Sequence, residues 1–190
     1  MPNADNITIS AKKLKVYTYD APEVLTLPTV DGLTVTWGTG WDDAPYVTEE
    51  GVTIDFAREK TETKAFMYPD PVKVRHENTI TVSLTFLESG SDVLSMVFPS
   101  VEVDASGWIH EGDPDSVTNF ALGIETETEV WVFPRVQAQG NSQFAFRDTE
   151  HNTVAAEFVA LHEWELADDE ETLVATGQSW YRTPLEEGAE

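Results

Sequence analysis

Between residues 46 and 88, apolar side chains recur at every second position, and that period restricts what the chain can fold into. Val52, Ile54 and Phe56 alternate with Thr53, Asp55 and Ala57. Val72 and Val74 alternate with Lys73 and Arg75, and Ile80, Val82, Leu84 and Phe86 alternate with Thr81, Ser83 and Thr85. A period of two sends one set of side chains to a buried face and the other to an outer one, which is the signature of β-strands. Glu50-Gly51 opens the first run, and Pro69-Asp70-Pro71 removes two backbone donors, so the ladder must turn or stop there. The stretch predicts an antiparallel strand series.

Alternation continues outside this region. Leu14–Tyr19 reads as a short strand, Leu33, Val35 and Trp37 as a second, and Phe120, Leu122 and Ile124 as a third. Val130, Val132 and Val136 resume after the acidic turn of Glu125, Glu127 and Glu129, with Pro134 demoting that run to an edge or a bulge. Phe144 and Phe146, the long run Val154 to Leu166, and Leu173–Tyr181 complete the set. Residues 91–98 alone read as helix: Ser91 is placed to cap, and Val93, Leu94, Val97 and Phe98 make one apolar stripe that Pro99 ends. The expectation is an all-β sandwich or barrel with one short flanking helix. It spans 14–182 as one domain, with a flexible arm at 1–13, a long loop at 38–50, a loop at 100–116 and a loose acidic tail at 183–190.

A chain of 190 residues with six Trp, nine Phe and five Tyr has enough bulk for a real core. The absence of cysteine excludes disulfides and thiolate metal sites. No apolar run has the length of a signal peptide or a membrane span.

Charge is the outlying property. Eleven basic residues against 35 acidic ones give −24. Yet Arg58, Lys60, Lys64, Lys73 and Arg75 fall in one short window with only Glu59, Glu62 and Asp70 as acids. Solvation or a salt-adapted host accounts for acidity as readily as does pairing of this window with the acidic surface of another copy. Nucleic-acid binding through phosphates needs a basic face and is disfavoured.

Catalytic patterns are missing from the sequence. His76, His110, His151 and His162 are scattered, no HExxH occurs, and neighbouring His-Glu pairs alternate to opposite faces of a strand. Asp113-Pro114-Asp115-Ser116 lacks the remaining ligands of a calcium loop. Phosphate-cradling loops and nucleophile elbows are not found. The expectation is no enzyme, no cofactor and no metal.

One stretch is more specific. Trp41 in a Gly/Asp loop precedes Tyr46-Val47-Thr48-Glu49-Glu50-Gly51-Val52 and Phe56-Ala57-Arg58-Glu59. Then come Pro71-Val72-Lys73-Val74-Arg75, Thr79-Ile80-Thr81-Val82 and the helix. Over residues 38–98 this order resembles the major tail tube proteins of long-tailed phages, most like those infecting actinobacteria. The family often has Trp after the Arg-Glu pair, where this chain has Phe66-Met67-Tyr68.

The resemblance implies a β-sandwich that forms hexameric rings, stacked into a tube through which DNA leaves the virion without specific binding. It implies itself as the main partner, with tail tip, terminator and tape measure proteins at the ends. Its place would be the virion tail, assembled in the host cytoplasm, with no membrane. On that reading Trp41, Asp42, Asp43 and Tyr46 in the loop, and Arg58, Lys60, Lys64, Lys73 and Arg75 in the basic window, form subunit contacts. Two other readings are a tube protein of a contractile or type VI-like injection machine, and a carbohydrate-binding or virion-decoration sandwich whose Trp41 and Trp108 stack on sugars.

Overall fold

The computed structural model describes residues 5–9, 11–19, 25–48, 50–63, 73–87, 90–98, 101–103, 109–111, 119–139, 143–145, 152–162, 164–166, 173–175 and 179–186. In chain order the strands before the helix are β1 (Asp5–Ile9), β2 (Lys13–Thr18), β3 (Thr29–Asp31), β4 (Thr34–Thr36), β5 (Asp42–Asp43), β6 (Val52–Thr63) and β7 (Lys73–Phe86). The helix α1 is Ser91–Val97. After it come β8 (Val101–Val103), β9 (Ile109–Glu111), β10 (Phe120–Glu125), β11 (Glu129–Ala138), β12 (Gln143–Ala145), β13 (Thr153–Ala160), β14 (Trp164–Leu166), β15 (Leu173–Ala175) and β16 (Tyr181–Pro184). The protein is an all-β, sandwich-like fold with one short helix, as the alternation predicts.

Ten strands make one antiparallel sheet in the order β1-β6-β7-β13-β11-β10-β2-β5, with β12 on β13 and β16 on β11. The sheet folds over itself where β13 meets β11, because only Val136–Ala138 pair with Phe158–Ala160. One half is β1-β6-β7-β13 and the other is β11-β10-β2-β5. Their inner faces share one core. Ile54, Val82, Leu84, Phe86, Val154 and Phe158 come from the first half, and Val16, Phe120, Leu122, Ile124 and Phe133 from the second. Phe120 and Phe158 meet edge-to-face across the fold at 5.1 Å. Val93, Met96 and Val97 of α1 pack into the same core.

A second tie joins the halves through residues 44–48. Ala44 N donates to Leu14 O on β2 at 2.9 Å. Leu87 N donates to Tyr46 O and Thr48 N to Thr85 O, both at 2.8 Å, while Val47 bridges Phe86. Gly51, at φ 77°, then turns the chain into β6.

The second half is covered on its outer face too. The β3–β4 hairpin turns on Gly32 (φ 59°) and, with the chain on either side, lays Leu25, Val30, Val35, Trp37 and Trp41 over Ala121, Val130 and Val132. All six residues of β10 are therefore buried. Gly123 is needed here: a Cβ would overlap the indole of Trp37. The buried Glu125 carboxylate accepts from Trp37 Nε1 at 3.1 Å and faces Lys13 Nζ at 3.3 Å. Glu129 accepts from Trp131 Nε1 at 2.8 Å and Arg182 Nε at 2.6 Å, and Arg182 lies over the Trp131 ring, which fixes β16 to β11.

Several expectations require correction. Residues 5–9 of the expected flexible arm form β1, paired residue for residue with Val52–Phe56. The expected loose tail is held at its start, since Thr183 and Pro184 pair with β11 and Leu185 N donates to Thr128 O. The expected loop at 100–116 contains the β8–β9 hairpin. Within 154–166 the described residues form two strands, β13 and β14, and within 173–181 they form β15 and the first residue of β16. Gly90, not Ser91, occupies the N-cap, with no side-chain cap bond, and Ser91 Oγ donates to Asp92 instead. Pro134 sits inside a buried strand, but at the gap where the neighbour of β11 changes from β16 to β13, so no ladder bond is lost on that side. The register slips across the same place, with Phe120 opposite Val136 and Leu122 opposite Phe133: the expected bulge.

Candidate assembly surfaces

The residues nominated from the sequence fall into two groups, set far apart by the strand that carries them. The first lies at the β2–β5 edge. Trp41 is inside its own domain, 7% exposed, with Nε1 donating to Thr26 O at 3.1 Å and its ring edge-to-face with Trp37 at 4.9 Å. Its indole is thus packed within its own chain, which leaves little of it for a partner. Gly40 (φ 92°) turns the chain beside Trp41, with no room for a Cβ against Tyr17.

Asp42 and Asp43 are exposed, and their two-residue strand pairs with Val16 and Lys15. Lys15 Nζ reaches Asp43 Oδ1 at 2.7 Å, and this hydrogen bond and charge hold the Asp43 carboxyl below its usual value of 3.8. Tyr46 is 75% exposed although its backbone is pinned to β7. A fixed backbone presenting a free aromatic ring has already lost much of the entropy that binding would otherwise remove.

Beside this edge lies a groove of about 700 Å³ between β2, residues 42–47 and α1. Leu14, Val16 and Met96 supply apolar floor; Lys12, Lys13, Asp42, Asp43 and Asp92 supply charged walls. Nothing in the sequence singles out these two lysines, and Asp92 and Met96 fall there only within the helix expected at 91–98. Their convergence is tertiary, and no local pattern marks it.

The second group lies on β6 and β7. β1 pairs only with Val52–Phe56, and β13 only with Thr81–Phe86 of β7. Beyond these, six residue pairs from Arg58↔Asn78 to Thr63↔Lys73 continue as a two-stranded ribbon. Among the described residues, no third strand flanks it. The ribbon places Arg58 opposite Asn78, Lys60 opposite His76, Arg75 opposite Thr61 and Lys73 opposite Thr63. Arg58 is exposed. Lys64 lies outside the described residues.

The structure does not bring the two groups together within one chain. Tyr46 lies just before the start of β6 and the ribbon ends at Thr63, eleven residues beyond Val52. At ~3.3 Å per residue that is roughly 36 Å along the strand.

Among the described residues, no group of three or more His, Cys, Asp or Glu could hold a metal, and no helix is long and apolar enough to cross a membrane. Compared with known proteins, the chain matches no family model and no curated protein.

Proposed function

We propose that this chain is the subunit of a self-assembling tube of the phage tail tube type, in which copies of the sandwich contact one another through the β6–β7 ribbon. The observation that carries the reading is the ribbon itself: six residue pairs beside which no third strand lies among the described residues, bearing Arg58, Lys60, Lys73 and Arg75 on a chain of net charge −24. An open two-stranded edge is a template for pairing, and natural proteins seldom leave one uncovered. Opposite charge on the remainder of the molecule gives it a partner surface among its own copies.

The outward face of β6, β7 and β13 fits passage of DNA. Where β1 and β13 flank β6 and β7, it carries Thr53, Asp55, Thr81, Ser83, Thr85 and Glu157, small or acidic; further along, the register puts positions 75 and 73, Arg75 and Lys73, on the same face of the ribbon. The flanked part of the face repels phosphates, the inverse of the logic that binds them. A sugar-binding reading loses one of its two aromatic platforms, because Trp41 is buried; Trp108 lies outside the described residues.

The test is negative-stain microscopy and sedimentation of the purified protein across a concentration series. Tubes or stacked rings are expected. A chain that remains monomeric at every concentration overturns the proposal.

A further inference from the structure

We infer that the outward face of the β3–β4 hairpin is a contact surface for a second copy of this chain, related to the first by a two-fold axis. The contact goes beyond the tube reading above, since it uses neither the ribbon nor its charge.

Charge sets this face apart. Residues 25–41 carry Asp31 as their one charged group, in a chain of 11 basic and 35 acidic residues. Val30 and Val35 turn inward to the sheet, so the register leaves the pairs Thr29↔Thr36 and Asp31↔Thr34 pointing out, and all four residues are exposed. Of the three large apolar side chains exposed among the described residues, two sit here: Leu33 at the turn, 54% exposed, and Leu27 ahead of β3. Other parts of the surface expose acids, at Asp42, Asp43, Glu50, Asp92 and Glu127. Copies that each carry −24 repel where such residues face one another. A charge pressed against hydroxyls and leucine is also stripped of water without gaining a partner. The surface of a neighbour that costs least against this face is therefore the same face.

Shape agrees with charge. A recess of about 120 Å³ opens between Leu27, Pro28 and Val30 on one side and Tyr181 and Thr183 of β16 on the other. It lies ahead of β3, whereas Leu33 stands at the turn, five residues past Pro28. That is roughly 16 Å along extended chain. A two-fold rotation exchanges a knob and a recess at opposite ends of one face, so each Leu33 enters the recess of the other copy. Such a contact is isologous and closes as a dimer, and it does not by itself build a tube. Asp31 opposes it, because pairing the copies brings two like charges into one interface.

Sedimentation velocity is run on a chain with Lys60→Gln, Lys73→Gln and Arg75→Gln, which removes charge from the ribbon. A monomer–dimer equilibrium is expected, about threefold or more tighter at high salt than at low, because screening relieves the repulsion of the net charge. Leu33→Glu in that background should weaken the dimer at least about tenfold, and Asp31→Asn should tighten it. Both positions are exposed, so folding should be unaffected. The chain has no cysteine, so an introduced pair locates the contact. Leu33→Cys mixed with Leu27→Cys and oxidised should give linked dimers at least about tenfold faster than Leu33→Cys mixed with Ser91→Cys on α1. If the ribbon-neutralised chain stays monomeric at every concentration and salt, the hairpin contact is overturned, and tubes formed by the unaltered chain would leave the tube reading standing. Dimers indifferent to Leu33→Glu, or a 33–27 link no faster than the 33–91 link, overturn it as well. Hairpin dimers with no tubes from the unaltered chain support this contact and overturn the tube reading alone.

Discussion

The β10–β11 pair and the far half of the β6–β7 pair are both antiparallel ladders, yet one is enclosed and the other bare. Every residue of β10 is buried, with Phe120, Leu122 and Ile124 on one side and Ala121 and Gly123 under Trp37 and Trp41 on the other. Among the described residues, the ribbon from Arg58 to Thr63 has only its own partner strand beside it. Folding free energy is concentrated in the first, since buried apolar area and packing set stability. Among the described residues, no further strand takes up the hydrogen-bonding edges of the second. On the assembly proposed above, stability and association would reside in different residues and be separable by mutation.

The largest effect is expected at the fold-over. Phe158→Ala removes a fully buried ring from the junction of the halves and should cost about 3–5 kcal/mol in chemical denaturation. Next is Gly123→Ala, which forces a methyl into the Trp37 indole and should cost about 1–3 kcal/mol. Combining it with Trp37→Leu should recover part of that loss, and strict additivity of the two would place the clash elsewhere.

Reversing Lys60, Lys64, Lys73 and Arg75 to Glu should shift stability by only about 0.5 kcal/mol per site or less while abolishing tubes. Unchanged tubes by microscopy would remove the electrostatic contribution of the ribbon. The smallest effect concerns pH. Asp43 has its folded pKa depressed by Lys15, so its contribution is present above the ordinary carboxylate value of 3.8 and fades as pH falls through the lower folded value. Asp43→Asn should flatten that part of the stability-versus-pH curve, and because the pair is exposed, added salt should do the same.

How far the sequence foretold this arrangement depends on how local the cause was. β6, β7, β10, β13 and the helix were legible because period-two and helical spacing act within a few residues. β1 was not, although Ile7 and Ile9 alternate with Thr8, because whether five polar-flanked residues join an edge depends on β6 being there to receive them. Pro134 and Trp41 show the same limit. A proline inside a strand depends on which neighbour runs beside it. An indole in a Gly/Asp loop depends on whether Ala121 and Gly123 leave room beneath it. Of the candidate surfaces, the basic window was legible as a charge count. The open ribbon edges and the groove required the register of β1 and β13.

The most direct measurement removes the ribbon. Residues 59–77 are replaced by an Asn-Gly turn, which suits a two-residue antiparallel connection, and the product is compared with the intact chain by thermal denaturation and negative-stain microscopy. The account predicts a folded protein with an almost unchanged melting midpoint and no tubes at any concentration. Tubes that persist, or a sandwich that no longer folds, would contradict the separation of folding from assembly.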